Sequence, residues 1–441
     1  MTMVRTEAPA GWRVHPVAPR SLDESGLTRD MVVQLVIKTL HFAGELVGTD
    51  LADRLGVTFA VIEPALDLLI AQHQVEIVGG AIVGRAAYRF RITDAGRTRA
   101  QLFLRDSQYV GVAPVPVNVY REYIRGFGAA ASGKATRAKI RQAFSHLVIS
   151  DRVLDQLGPA INARHSLFVY GPPGNGKTVI SQAIRNVLDG EIAIPHALEV
   201  GGSIIRMFDP VLHEPVSTVT DTTSLDAGVR LDRRWVTCRR PMITVGGELR
   251  LDALELYDAS QSGFSRAPIQ LAANGGVLVI DDFGRQQCSP RDLLNRWIVP
   301  LESRVDFLTL ASGQKLDLPF MVFVVFATNL QPRDLVDDAF LRRIQYKVFA
   351  QGPTPAEFLT IFANCCRDQG IPYEPALVER LVDTWYRPRS IPLRGCHPRD
   401  LIHHALALAE YLDQPRVLTA DLLEAACGGY FVREESSVDE G

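Results

Sequence analysis

"LFVYGPPGNGKT" (residues 167–178) sets an apolar run directly against a glycine-rich stretch that closes on lysine and threonine. "SLFVY" is short, apolar and bounded by turn residues, the pattern of a strand buried on both faces of a parallel sheet. Gly171 to Thr178 fits GxxxxGK[ST] at every fixed position, and "KTVISQAIRNVL" behind it has helical apolar spacing. Strand, loop and helix therefore follow in the order of a phosphate cradle. Glycine is required because consecutive N–H groups must turn inward, and a Cβ would block both the dihedrals and the close approach of an anion. The helix N-terminus adds partial positive charge, Lys177 supplies a full charge for the outer phosphates, and the Thr178 hydroxyl is placed to hold Mg2+. The expected contacts to a nucleoside triphosphate are Gly171, Pro172, Pro173, Gly174, Asn175, Gly176, Lys177, Thr178 and Val179.

Downstream, "NGGVLVIDDF" ends another apolar strand in two acids. Behind a phosphate loop, Asp281 is expected to orient the Mg2+ shell and Asp282 to polarise the attacking water. Acid pairs at strand ends also serve as solubilising caps, and it is the intact loop upstream that gives this pair a chemical reading. "MVFVVFATN" ends in Asn329, an amide delivered to the same sheet edge, where it can hydrogen-bond water or γ-phosphate.

The chain has 441 residues, 47% hydrophobic and 22% charged, which is the composition of a multidomain globular protein rather than a disordered or fibrous one. A formal net charge of -3 gives no general attraction to nucleic acid or anionic membrane, so any such binding must come from a local patch. Six cysteines without paired CxxC spacing predict reduced thiols and a cytoplasmic setting. "MTMVRTEAPAGWRVHP" has no apolar leader core and "FMVFVVFA" (320–327) is too short for a membrane span, so no bilayer crossing is expected. Cys396, His397, His403 and His404 match no standard zinc spacing, and no metal site is expected there.

Residues 27–105 form a first module. "MVVQLVIKTLHFAG", "TDLADRLG" and "TFAVIEPALDLLIAQH" read as three helices, with Thr49 and Thr58 where N-caps would sit. "VEIVG" and "AYRFRIT", separated by glycines, read as a hairpin or wing. The arrangement resembles a winged helix-turn-helix domain. The third helix offers Glu63, Asp67, Gln72 and His73 where a DNA reader would carry basic side chains, while six arginines (Arg85, Arg89, Arg91, Arg97, Arg99, Arg105) cluster downstream. Both a protein-docking module and a phosphate-gripping wing fit that pattern. Residues 106–144, proline-interrupted and then small and flexible, are expected to be a linker.

Together the loop, acid and amide motifs resemble the AAA+ ATPases over about residues 145–430: "GPPGNGKT" as Walker A, "VLVIDD" as Walker B and "FATN" as sensor 1. "SGFSRAPIQLAANGGVLVIDD" is also similar to MoxR-type ATPases and sigma-dependent activators, although no GAFTGA loop is present. The resemblance implies an α/β P-loop domain at 145–350, a parallel sheet with helices on both sides, and a helical lid at 351–430. It also implies ATP and Mg2+ as cofactors and assembly into rings, most often hexamers. "LVDDAFLRRIQYKV" resembles the arginine-finger region, with Arg342 and Arg343 as candidates, and "GCHPRDLIHHALALA" resembles the sensor 2 helix, with Arg399 facing nucleotide. The sequence departs from the family at Asp282, where glutamate is usual. The shorter acid reaches about 1 Å less, a misplacement able to cost about 100-fold in rate. A second departure is the long segment 200–270, expected to supply loops facing a pore or partner. These features predict an ATP-hydrolysing, ring-forming remodelling motor acting on a protein client. Open beside it stand a nucleotide-controlled regulator that grips DNA through the winged module, and a slow ATP-dependent scaffold.

Overall fold

The computed structural model describes residues 3–8, 11–80, 84–130, 134–216, 230–259, 262–331 and 342–431. Five strands lie side by side in the order Met242–Val245, Val277–Ile280, Phe323–Thr328, Ser166–Tyr170 and Tyr346–Phe349, all parallel. Every residue of Val277–Ile280 and Phe323–Thr328 is buried, which is why these segments are unbroken apolar runs. Alternate side chains serve two cores. Val169, Val279 and Val325 pack with Ile161, Ile180 and Ile184 on one face, while Phe168, Leu278, Val324 and Phe326 pack with Leu293 and Trp297 on the other. The sheet is thus covered on both sides, and its strands end together at one edge, where the glycine loop follows Tyr170.

The expected linker at 106–144 is corrected by the structure. Helix Val117–Ala130 buries Tyr120, Tyr123, Ile124 and Phe127 in a second core with Trp235, Ile194 and Leu198. Those four positions have helical spacing. Gly126 and Gly128 lower helix propensity, and the prolines upstream obscure the start. Segment 200–270 supplies short strands as well as the expected loops. Tyr257–Ala259, Phe264–Arg266, Ser203–Arg206, Ala197–Val200 and Val115–Pro116 form a second, mixed five-stranded sheet, while residues 217–229 of that segment lie outside the described ones.

The N-terminal module contains helices Arg29–Ala43, Gly48–Arg54 and Phe59–Ala71, and an antiparallel sheet ordered Glu45–Val47, Tyr88–Ile92, Val75–Gly80. Thr58 occupies an N-cap position, whereas Thr49 lies inside its helix, whose N-cap is Val47. A buried ion pair lies beside its start: Arg234, which precedes strand Trp235–Arg239, donates to Asp232 at 2.8 Å and to the Ser25 carbonyl at 3.0 Å. Residues 355–430 are helical, with Pro355–Asp368, Pro375–Leu381, His397–Tyr411 and Ala420–Tyr430 around Phe358, Phe362, Leu401 and Leu423. His397 is buried there, accepts or donates one hydrogen bond with the Tyr386 hydroxyl at 3.1 Å, and is pushed down to about 4 by loss of hydration. It is a core histidine. All six cysteines are free thiols, and no described helix is long and apolar enough to cross a membrane.

Candidate nucleotide site

Gly171, Gly174 and Gly176 have φ of 142°, 81° and 71°, backbone that a side chain would strain. Packing adds a second reason at two of them. A Cβ on Gly171 would stand 2.6 Å from the Ala350 carbonyl oxygen, and one on Gly174 would stand 2.5 Å from the Cys396 sulfur. Helix Lys177–Val187 starts directly behind the loop, so its unpaired N–H groups point at the cradle.

Lys177 is 7% exposed and folds back onto its own loop, donating to the carbonyls of Gly171 at 2.9 Å and Pro172 at 2.8 Å. Burial lowers its pKa. Asp281 and Asp282 oppose that shift and Arg394 adds to it. The ammonium therefore lies in the field of both acids and of Arg394. Thr178 donates to Asp281 Oδ2 at 2.7 Å, a contact between residues 103 positions apart. That pairing offers one hydroxyl and one carboxylate, the hard oxygen donors that suit Mg2+. Asn175 turns away from the cradle: Nδ2 donates to Ala350 O at 3.3 Å and Oδ1 accepts from the Gly395 amide at 3.4 Å. Pro172, Pro173 and Val179 are exposed at the rim.

Asp282 sits just past the strand with φ of 47°. Its amide donates to Asp281 Oδ1 at 2.9 Å, and its Oδ1 accepts from Asn329 Nδ2 at 3.0 Å. A residue the sequence did not single out holds this turn. Gln286 Nε2 donates to the carbonyls of Asp281 at 2.9 Å and Asp282 at 3.2 Å, while its Oε1 accepts from the Gly284 amide at 2.8 Å. Thr328 donates to Phe283 O at 2.7 Å from the neighbouring strand. The signals were an amide four residues after the second acid and a hydroxyl beside the strand-end Asn329.

The arginines divide differently from expectation. Arg399 has a 75% exposed side chain and pairs with Asp400 at 2.8 Å. The arginine against the loop is Arg394, whose Cδ lies 3.5 Å from where a Cβ on Gly174 would be. Its Nε is buried and has no hydrogen-bond partner among the described residues. Its only signal in the sequence was a position in the loop "PLRGCHP", just before the helix. Arg342 is exposed, and Arg343 donates to Glu302 Oε1 at 2.5 Å. Residues 335–341 of the expected finger region lie outside the described ones.

Among protein families, one described as a domain of unknown function (DUF8689) matches residues 354–429. No curated protein matches the sequence. Among solved structures, a RuvB variant of Thermotoga maritima is 15% identical, with a TM-score of 0.37 over 63% of this chain and 69% of that one. NtrX of Brucella abortus is 16% identical, with a TM-score of 0.39 over 67% of this chain and 58% of that one. Likenesses this distant carry neither substrate nor partner.

Proposed function

We propose that this chain is an AAA+ ATPase that binds ATP with Mg2+, hydrolyses it, and works as a ring-forming remodelling motor on a protein client. The observation that carries the reading is the Thr178–Asp281 hydrogen bond at 2.7 Å, with Asp282 and Asn329 joined beside it at 3.0 Å. Loop, acids and amide from three separate strands thereby share one sheet edge. Lys177 holds the outer phosphates by exchanging the carbonyls of Gly171 and Pro172 for phosphate oxygens. Thr178 and Asp281 hold the metal side. Asp282 accepts the proton of the attacking water, and Asn329 fixes one of its carboxylate oxygens so that the other faces the water. Bound Mg2+ supplies neutralisation of charge that develops on the phosphates. Arg394 adds positive charge from the lid.

For the N-terminal module, protein docking is favoured over DNA. Arg85 pairs with Glu63 and Asp67, Arg89 with Glu45 at 3.0 Å, and Arg91 with Glu76 at 2.9 Å, so half of the arginine cluster is already neutralised. A steeply salt-dependent affinity for duplex DNA would reinstate the nucleic-acid reading.

Lys177→Ala tests the site. Removal of a charge-assisted phosphate contact should weaken ATP binding by about 10- to 100-fold, roughly 1.5 to 3 kcal/mol. Unchanged affinity in an ATP titration would overturn the assignment.

A further inference from the structure

The strands of the parallel sheet begin at the edge opposite the glycine loop, and there a cavity of about 480 Å3 opens. Its walls carry Lys134, Arg164, Arg240 and Arg304, and no acid lines it among the described residues. The four come from separate parts of the chain. Lys134 precedes Ala135, whose backbone is clamped by Asn162 through bonds of 2.7 and 3.2 Å. Arg164 and Arg304 are the left-handed C-caps of helices Asp151–Ala163 and Pro290–Ser303, and Arg304 donates to the carbonyls of Arg164 at 2.5 Å and Val322 at 3.3 Å. Arg240 lies over the Phe127 ring, its guanidinium carbon 4.9 Å from the centroid.

Three other arginines with little exposure are answered by carboxylates: Arg296 by Asp306 and Glu255, Arg234 by Asp232, Arg121 by Asp317. Arg240 is not. Its Nε is buried with no hydrogen-bond partner among the described residues. Burial and then the nearby Arg164 charge push it down to about 10, and Asp189, the one acid that acts on it, has the weakest influence. Asp189 Oδ1 is already engaged by the Gly190 amide at 2.8 Å. Burial pushes Arg164 and Arg304 down as well. Arg240 is thus a cation in a partly desolvated space with no carboxylate bonded to it among the described residues, a cost to the fold that an anion of matching charge relieves. The volume lies within the range of small-molecule pockets, about 300 to 1,000 Å3, and exceeds what a single phosphate fills.

We propose that this cavity is a second ligand site, distinct from the glycine loop, and that it binds a small molecule bearing two or more phosphate charges. The phosphates lie among Arg240, Arg304 and Lys134, and the remainder of the molecule lies against Leu188, Met321 and Phe323. The site stands independently of the function assigned to the glycine loop.

Calorimetric titration of the full chain with inorganic pyrophosphate tests the site. The Lys177→Ala variant, in which the glycine loop is weakened, is compared with Lys177→Ala/Arg240→Met. The single variant should bind pyrophosphate, and the double variant should lose about tenfold or more in affinity, as for a charge-assisted contact. Methionine keeps an unbranched side chain of similar length and removes a buried charge with no carboxylate bonded to it among the described residues, so the double variant should melt no lower than the single one. Lys134 is exposed, and Lys134→Ala in the same background should weaken pyrophosphate with no change in melting temperature. ADP distinguishes the two sources of the chemistry. A larger loss for ADP than for pyrophosphate assigns the apolar wall to a nucleoside, and an equal loss assigns the site to inorganic pyrophosphate. No binding by the single variant, or equal pyrophosphate affinity in the two proteins, overturns the proposal.

Discussion

Asp282 combines two facts that bear on each other, a left-handed backbone and a carboxylate held by Asn329. A non-glycine residue in that conformation costs on the order of 1 kcal/mol or more. The two bonds from Gln286 to the turn, the bond from Asn329 and the amide bond to Asp281 offset it, at about 1 kcal/mol net each. Aspartate and asparagine tolerate this region better than longer side chains do, because their short polar groups bond locally. Asp282→Asn should therefore keep the turn and ATP binding while lowering turnover by about 100- to 10,000-fold, since an amide still accepts from Asn329 but takes no proton. Asp282→Glu should also lower turnover: the added methylene displaces an acid whose position Asn329 has fixed, and the backbone suits glutamate less. Steady-state ATPase rates of the three proteins decide. An Asp282→Asn protein at the parent rate would remove Asp282 from the mechanism.

Between elements, the glycine loop and the helices beyond residue 355 are sewn together by backbone. The Cys396 amide donates to Gly174 O at 2.8 Å, and the Gly395 amide donates to Asn175 Oδ1 at 3.4 Å. A displacement of the loop would thereby be passed to the start of helix His397–Tyr411. The same contact brings Arg394 to Gly174, while Arg399 on the exposed side pairs with Asp400. Arg394→Ala should weaken ATP by about 10- to 100-fold, on the scale of one charge-assisted contact. Arg399→Ala removes an exposed ion pair worth about 0 to 1 kcal/mol and should leave affinity unchanged. ATP titrations of both variants make the comparison, and the reverse ranking would return the sensor role to Arg399.

For the whole molecule, the ring reading asks for an arginine that leaves its own chain. Arg343 is engaged with Glu302 of its own chain at 2.5 Å, whereas Arg342 is exposed, so Arg342 is the better finger. A variant with both changed to alanine should bind ATP and hydrolyse it poorly, since fingers act on transition-state charge and contribute about 10³- to 10⁵-fold. Mixing it with Lys177→Ala gives each subunit what the other lacks. Recovered activity is the expected outcome, and mixed rings that stay inactive would count against action in trans.

The sequence by itself determined the strand, loop and helix around Lys177, the paired acids and the strand-end Asn329. Each is written in a short window: a buried parallel strand must be an unbroken apolar run, and a tight anion loop must be glycine. Helix Val117–Ala130 was written in the same code, at Tyr120, Tyr123, Ile124 and Phe127, but weakly enough for flanking prolines and internal glycines to obscure it. Partnership was not written locally. That Gln286 pins the acid turn, that Arg394 rather than Arg399 meets Gly174, and that Arg85, Arg89 and Arg91 spend their charge on acids of their own module follow from which segments pack together. The Asn175–Gly395 contact joins residues 220 positions apart, and no periodicity along a chain records such a meeting. Tertiary structure decided it, because a side chain's charge has chemical meaning only beside the groups that burial brings to it.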